Sequence, residues 1–221
     1  MNKLRLSAVR KRLERDIHRG VTKKDFSPFD IYQFVNEDRK EAFLEEQYEE
    51  GKTSAQDVVG LLLSAHREVY IFAGKFSWSN LVRKGIKIID VLEDLARKGV
   101  KIKIISGIHL PAMDNIEKIL ELNNKLPKEQ WIEVRHSFQP LRAIIVDDKI
   151  MRLKEVKKPS DYGAGSKKKK TTFIFYSIYD KDWIRWLRGI FMDYFKAGDY
   201  PAARVRELKK IQKVEYTSKK R

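Results

Sequence analysis

The chain has 221 residues, a length that suits one domain with appendages or at most two small ones, and its 42% hydrophobic residues can bury a core without a staple. It carries 47 Lys+Arg against 31 Asp+Glu, a formal charge of +16, and no cysteine. These figures exclude disulfides, thiol catalysis and cysteine-based metal sites, and they point to a polyanionic partner and a reducing interior.

In chain order, Leu4, Leu6, Val9, Leu13 and Ile17 form one stripe of a helix over residues 3–19, with Gly20 as its stop. Ser27 and Pro28 then read as the start of a second helix that runs to about Glu50 and turns acidic. Gly51 ends this charged helical extension, residues 1–53. From Ser54 to residue 197 the pattern alternates. Helices are expected at Ala55 to His66, Ile86 to Lys98, Asp114 to Lys125 and Asp180 to Lys196. Strands are expected at Glu68 to Ala73, Val100 to Ile105, Trp131 to His136, Arg142 to Asp147, Lys149 to Lys154 and Thr171 to Ile178. The Asp147-Asp148 pair is a tight-turn signal between two of them. Alternation of this kind predicts an α/β fold, a mixed sheet flanked by helices. Residues 198–221 read as a basic helix or tail. The longest apolar run, Val58 to Ala65, is too short to span a bilayer, and the N-terminus lacks the apolar core of a secretion signal. A cytoplasmic protein without membrane contact is the expectation, and abundant charge without cysteine also suits a thermophile.

The charge is unevenly placed. Residues 1–24 hold nine basic residues against Glu14 and Asp16, among them Lys3, Arg5, Arg10, Lys11, Arg12, Arg15 and Arg19. Residues 149–170 hold nine against two, including Lys157, Lys158, Lys167, Lys168, Lys169 and Lys170. The C-terminal stretch 204–221 holds eight against two, including Arg206, Lys209, Lys210 and Lys213. These are the candidate nucleic-acid-binding residues, read as arms on a nearly neutral core. Residues 36–50 are acidic instead. Phe76 and Trp78, beside Lys75 and Arg83, suit either base stacking or core packing. Trp183, Trp186 and Tyr194 widen the apolar stripe of the helix from Asp180, which makes them a candidate dimer face, with core packing the leading alternative. The histidines, His18, His66, His109 and His136, show no metal-ligand spacing, and neither a metal nor a cofactor is expected.

One segment carries more. Gln139-Pro-Leu-Arg-Ala-Ile-Ile-Val-Asp-Asp-Lys149 sets a basic residue, four apolar residues and an acid along one strand, downstream of the Arg97 to Ile105 strand entry. This resembles the phospholipase D-like fold over about residues 54–197, most closely the sensor domain of archaeal TrmB-type transcriptional regulators. The resemblance implies a His-x-Lys-x4-Asp motif, with a nucleophilic His and a phosphate-binding Lys. Here those positions hold Pro140, Arg142 and Asp147. Proline offers no nucleophile, so hydrolase chemistry is expected to be absent. From the residues alone, Arg142 and Asp147 read as a strand-end ion pair. The resemblance also implies a homodimer.

Three readings stay open. The first is a non-enzymatic nucleic-acid-binding regulator: a dimer that binds RNA, with possible contacts to ribosomal proteins, and bridges or blocks ribosomal surfaces to control translation. The second is a TrmB-like regulator of DNA with a small effector. The third is a nuclease or phosphodiesterase with a displaced nucleophile. Residues 1–53 show no helix–turn–recognition-helix pattern, which favours phosphate and shape readout and therefore structured RNA.

Overall fold

Val69 to Ala73 is apolar without alternation, and all five residues are buried. A strand with no solvent face requires cover above and below it. The computed structural model describes residues 3–47, 58–74, 82–83, 86–162 and 170–218. Its strands are β1 (Lys40–Gln47), β2 (Glu68–Ala73), the two-residue β3 (Val82–Arg83) and β4 (Ile86–Lys87), β5 (Lys101–Ser106), β6 (Glu133–His136), β7 (Ala143–Val146), β8 (Ile150–Lys157) and β9 (Thr171–Ile178). Its helices are α1 (Lys3–Arg19), α2 (Phe29–Tyr32), α3 (Val58–Leu63), α4 (Ile88–Arg97), α5 (Met113–Asn123), α6 (Lys181–Ala197) and α7 (Pro201–Ser218). Seven strands form one sheet in the order β1-β9-β8-β7-β2-β5-β6, while β3 and β4 pair separately. β2, β5 and β6 are parallel, and the remaining pairings of the large sheet are antiparallel.

Two apolar layers sandwich the sheet. One packs α3, α4, α5 and α7 on β2, β5 and β6 through residues such as Leu62, Leu92, Ile104, Ile116 and Leu208. The other packs α1, α2 and α6 on the opposite face through Leu13, Ile17, Ile31, Phe72, Ile145, Leu187 and Phe191. Asp180 starts α6 as a side-chain cap, accepting from the backbone N–H groups of Asp182 and Trp183 at 2.9 and 3.2 Å.

The mixed α/β reading holds, and three parts of it change. The helix expected through residue 50 is the single turn α2 followed by strand β1. Good helix formers in Lys40–Gln47 yield to tertiary context. Every residue of β1 pairs with β9, and Phe43 stacks on Phe175 with ring centroids 4.9 Å apart. The boundary at residue 54 therefore does not separate two bodies, because β1 belongs to the sheet. The terminal arms are likewise docked. Leu13 and Ile17 of α1, and Val205 and Leu208 of α7, are buried in opposite layers. Finally, the candidate dimer face is covered by α1: Trp183 is 2% exposed, and the Arg10 guanidinium lies over its ring at 4.6 Å. Trp186 packs in the same layer. Tyr194 donates its hydroxyl to the Ile17 carbonyl at 2.8 Å, and burial pushes its pKa up to about 12.

Candidate nucleic-acid interface

The segment from Ser137 to Arg142 leaves β6, crosses the C-terminal ends of β5 and β2, and enters β7 in the opposite direction. Gln139, 4% exposed, pins the crossing. It donates to the Ala73 carbonyl at 3.1 Å and accepts from the Leu141 backbone N–H at 2.5 Å. Ser106 ties the ends of β5 and β2 together, donating to the Gly74 carbonyl at 2.8 Å. Pro140 is buried against Gly20, where a Cβ would approach the proline ring to 2.8 Å. The position that the resemblance gives to a nucleophile thus serves as packing surface.

Arg142 is the basic centre of this edge. Its carbonyl accepts from the Lys154 backbone N–H at 2.7 Å, one step beyond the paired Ala143 and Leu153. The two basic side chains therefore leave the same face of the sheet. The guanidinium lies over Gly74, where any Cβ would overlap it, and it donates to the Leu141 carbonyl at 2.6 Å. Among the described residues no carboxylate pairs with it. Burial lowers the pKa of Arg142 from its ordinary value. Burial also lowers that of Lys154, whose ammonium sits 4.2 Å from the Phe173 ring; Glu45 raises it, while Lys23 and Arg142 lower it further. Lys23 is lowered by burial and then by Lys158, against a raising contribution from Asp161 and a further lowering by Arg142. Arg142 thus lowers both lysines, against single carboxylates, Glu45 at Lys154 and Asp161 at Lys23, and the edge keeps an excess of positive charge.

The ion pair expected between Arg142 and Asp147 is absent, because β7 separates them and they stand at opposite ends of the sheet. Asp147 adopts a left-handed backbone (φ 50°) at the hairpin. Its carboxylate accepts from the backbone N–H groups of His66, Arg67 and Glu68 at 3.1, 2.9 and 2.9 Å. It fastens the entry of β2. His136, the nearest upstream histidine, ends β6, three strands from β7. Its Nδ1 accepts from the Ile108 backbone N–H at 2.9 Å and lies 3.4 Å from the Ser106 carbonyl; burial lowers its pKa, against a raising contribution from Ser106.

The expected basic residues divide. Arg5, Lys11, Arg12, Arg15 and Arg19 are exposed on α1, whose outer side lines an open groove of about 770 Å³. Arg10 is spent on Trp183. Lys157 is 3.6 Å from Glu155, and Lys158 is exposed. Lys170 is half-buried. Arg206, Lys209 and Lys210 are exposed on α7, with Lys209 2.5 Å from Glu117. The α1 and α7 groups consequently lie on opposite faces of the sheet, so no single surface collects all of them. Lys213 lies on α7. Lys167, Lys168, Lys169, Phe76 and Trp78 lie outside the described residues. Sequence reasoning missed Lys23 and Lys154 as partners of Arg142, since three separate segments bring them together. It also missed Glu14, His18 and Asp193, whose ligand atoms lie within 4.8 Å of one another on α1 and α6.

No protein-family model matches the chain, and no curated protein matches it. Among solved structures it is similar to TrmBL2, an archaeal chromatin protein whose structure shows a novel mode of DNA binding. The TM-score is 0.50 at 17% identity, covering 72% of this chain and 53% of that one. The chain thus spans about half the length of TrmBL2, 53% of it. It is also similar to Nuc, a phospholipase D family member from Salmonella typhimurium (TM-score 0.47, 14% identity, 72% of this chain and 98% of that). NucT from Helicobacter pylori gives a TM-score of 0.47 at 14% identity, with 73% and 99% covered. The chain shares its fold with the part of TrmBL2 that the match covers. Among the described residues no helix is long and apolar enough to cross a membrane.

A substitution isolates the contribution of Arg142 from the rest. In Gly74→Ala the new methyl displaces the Arg142 guanidinium, the mobile end of a long side chain, so the fold should survive. Gly74→Ala and Arg142→Ala should each weaken binding to a nucleic acid by about 10-fold and lower the slope of log K against log salt by about 1. Titration by fluorescence anisotropy at several salt concentrations reads both quantities.

Proposed function

We propose that the protein is a non-enzymatic nucleic-acid-binding regulator of the cytoplasm that acts as a homodimer on structured RNA, with the ribosome as its target. The carrying observation is Arg142, a cation without a carboxylate partner among the described residues, placed beside Lys23 and Lys154. Pro140 supports the absence of hydrolysis, since it leaves the motif's nucleophile position without a group that can attack phosphorus. Residues 3–47 supply one long helix, a single turn and an edge strand rather than two helices crossed at a tight turn. That arrangement favours contacts to phosphates and shape over reading of base edges in a groove. The ribosome offers the largest phosphate surface in a cytoplasm, and a two-fold dimer would present each basic helix face twice, suited to bridging or blocking such surfaces.

Co-sedimentation with purified ribosomal subunits in rising salt tests this reading. Binding at low salt with steep loss between about 50 and 200 mM is expected. No co-migration at low salt overturns it. The likeness to TrmBL2 favours a second reading, binding to duplex DNA, and capture by DNA fragments in preference to subunits would select it.

A further inference from the structure

Phe138 stands out on this edge because it is 46% exposed, although its chain neighbours Gln139 and Pro140 are buried. It belongs to a ladder of three rings. His109 stacks on it with centroids 5.6 Å apart and planes 21° from parallel. His136 meets it edge-on, with centroids 5.0 Å apart and an angle of 78°. Gly107 makes room beneath them, for a Cβ there would stand 3.1 Å from His109 and 3.2 Å from Phe138. Two neighbouring segments, the loop after β5 and the end of β6 with the residues that follow it, therefore hold a large apolar ring at the rim of the sheet. The rim is also basic. Phe138 and Arg142 lie on one crossing segment, four residues and at most about 14 Å apart, with Lys23 beside Arg142. Fixed aromatic rings next to an excess of positive charge match a ligand that alternates planar, weakly polar rings with negative charges.

Resting on the proposed nucleic-acid binding, we infer that Phe138, backed by His109, is a stacking platform for an unpaired nucleobase whose neighbouring phosphate sits on Arg142. The platform requires a base that is free of its partner. Duplexes keep their bases paired and stacked, so they meet the cations without meeting the ring. The protein should accordingly favour single-stranded segments or loops over duplex of equal charge. The favoured bases would be those that stack well on a ring, without strict sequence readout. The inference assigns selectivity to Phe138 and leaves attraction to the basic residues.

Fluorescence anisotropy with two labelled probes, a single-stranded oligonucleotide and a duplex of equal phosphate count, tests this. Phe138→Ala should weaken single-strand binding roughly 10-fold, leave duplex binding unchanged, and leave the salt dependence unchanged because no phosphate contact is removed. Phe138→Trp should retain single-strand affinity. The melting temperature of each variant checks that the edge is intact, and the exposed ring makes a folded Phe138→Ala variant the expected result. Equal losses on both probes, or none on either, overturn the platform while the nucleic-acid reading stands. If the unmodified protein binds neither probe, that reading falls and the platform falls with it.

Discussion

Asp147→Ala is expected to lower the stability of the protein by about 3 kcal/mol, measured by urea unfolding at neutral pH. The carboxylate is 1% exposed and satisfies three consecutive backbone N–H groups at the entry of β2. Alanine takes the partner from all three, which are part-buried, and it also suits the left-handed backbone at residue 147 less well. Asp147→Asn should cost less, because its carbonyl oxygen can keep the bonds from Arg67 and Glu68 and asparagine tolerates that conformation. The pH dependence follows from the carboxyl's shifted pKa. Burial alone would raise it, but the backbone donors outweigh burial and hold it below its ordinary value. A depressed folded-state value means that this stabilisation is fully present above the ordinary carboxyl range and is lost as pH falls through the depressed value. The gap between the wild-type protein and Asp147→Ala should therefore be widest near neutrality and narrow in strong acid.

Neutralising Lys11, Arg12, Arg15 and Arg19 together should weaken nucleic-acid binding on the order of a thousand-fold at about 0.1 M salt. Each of the four is exposed on α1. Each should contribute close to one unit to the slope of log K against log salt when it contacts a phosphate. The four substitutions should leave the fold intact, since α1 is anchored by Leu13 and Ile17 rather than by its charges. Arg10 is left unaltered in that variant. Its guanidinium covers Trp183, and its loss would expose the ring and confuse stability with binding. Loss of the salt slope with preserved melting temperature is the expected signature. Unchanged affinity would remove α1 from the interface.

The core of the sheet was readable because its strands are short, apolar and bounded by turn residues. Thr171 to Ile178 matches β9 to the residue, and Asp147-Asp148 is the hairpin turn that its chemistry announces. The strand β1 was not readable, since Lys40–Gln47 carries helix-forming Glu and Ala and owes its conformation to β9. Arg142 was legible as a singular position through the motif, but its surroundings were not. Lys23, Lys154 and Gly74 come from distant segments, and nothing local in any of them marks the meeting place. The same holds for His109, Phe138 and His136, which join only when the ends of β5 and β6 are side by side. The docking of α1 was hidden for a related reason. Its apolar stripe is plain in the sequence, while its counterpart on α6 was free to be read as a surface for a second copy.

The position of α1 and β1 sets an order of events during synthesis. β1 needs β9 as its partner, and Ile17 needs Tyr194, 177 residues further along. Both elements are made well before the partners that hold them, and the contact between Ile17 and Tyr194 spans 177 residues. Contacts of such long range make folding slow relative to a helical protein of the same size. Until α6 has been made, the nascent chain holds a cationic amphipathic helix with its apolar stripe uncovered. A chaperone is the natural shelter for it in that interval.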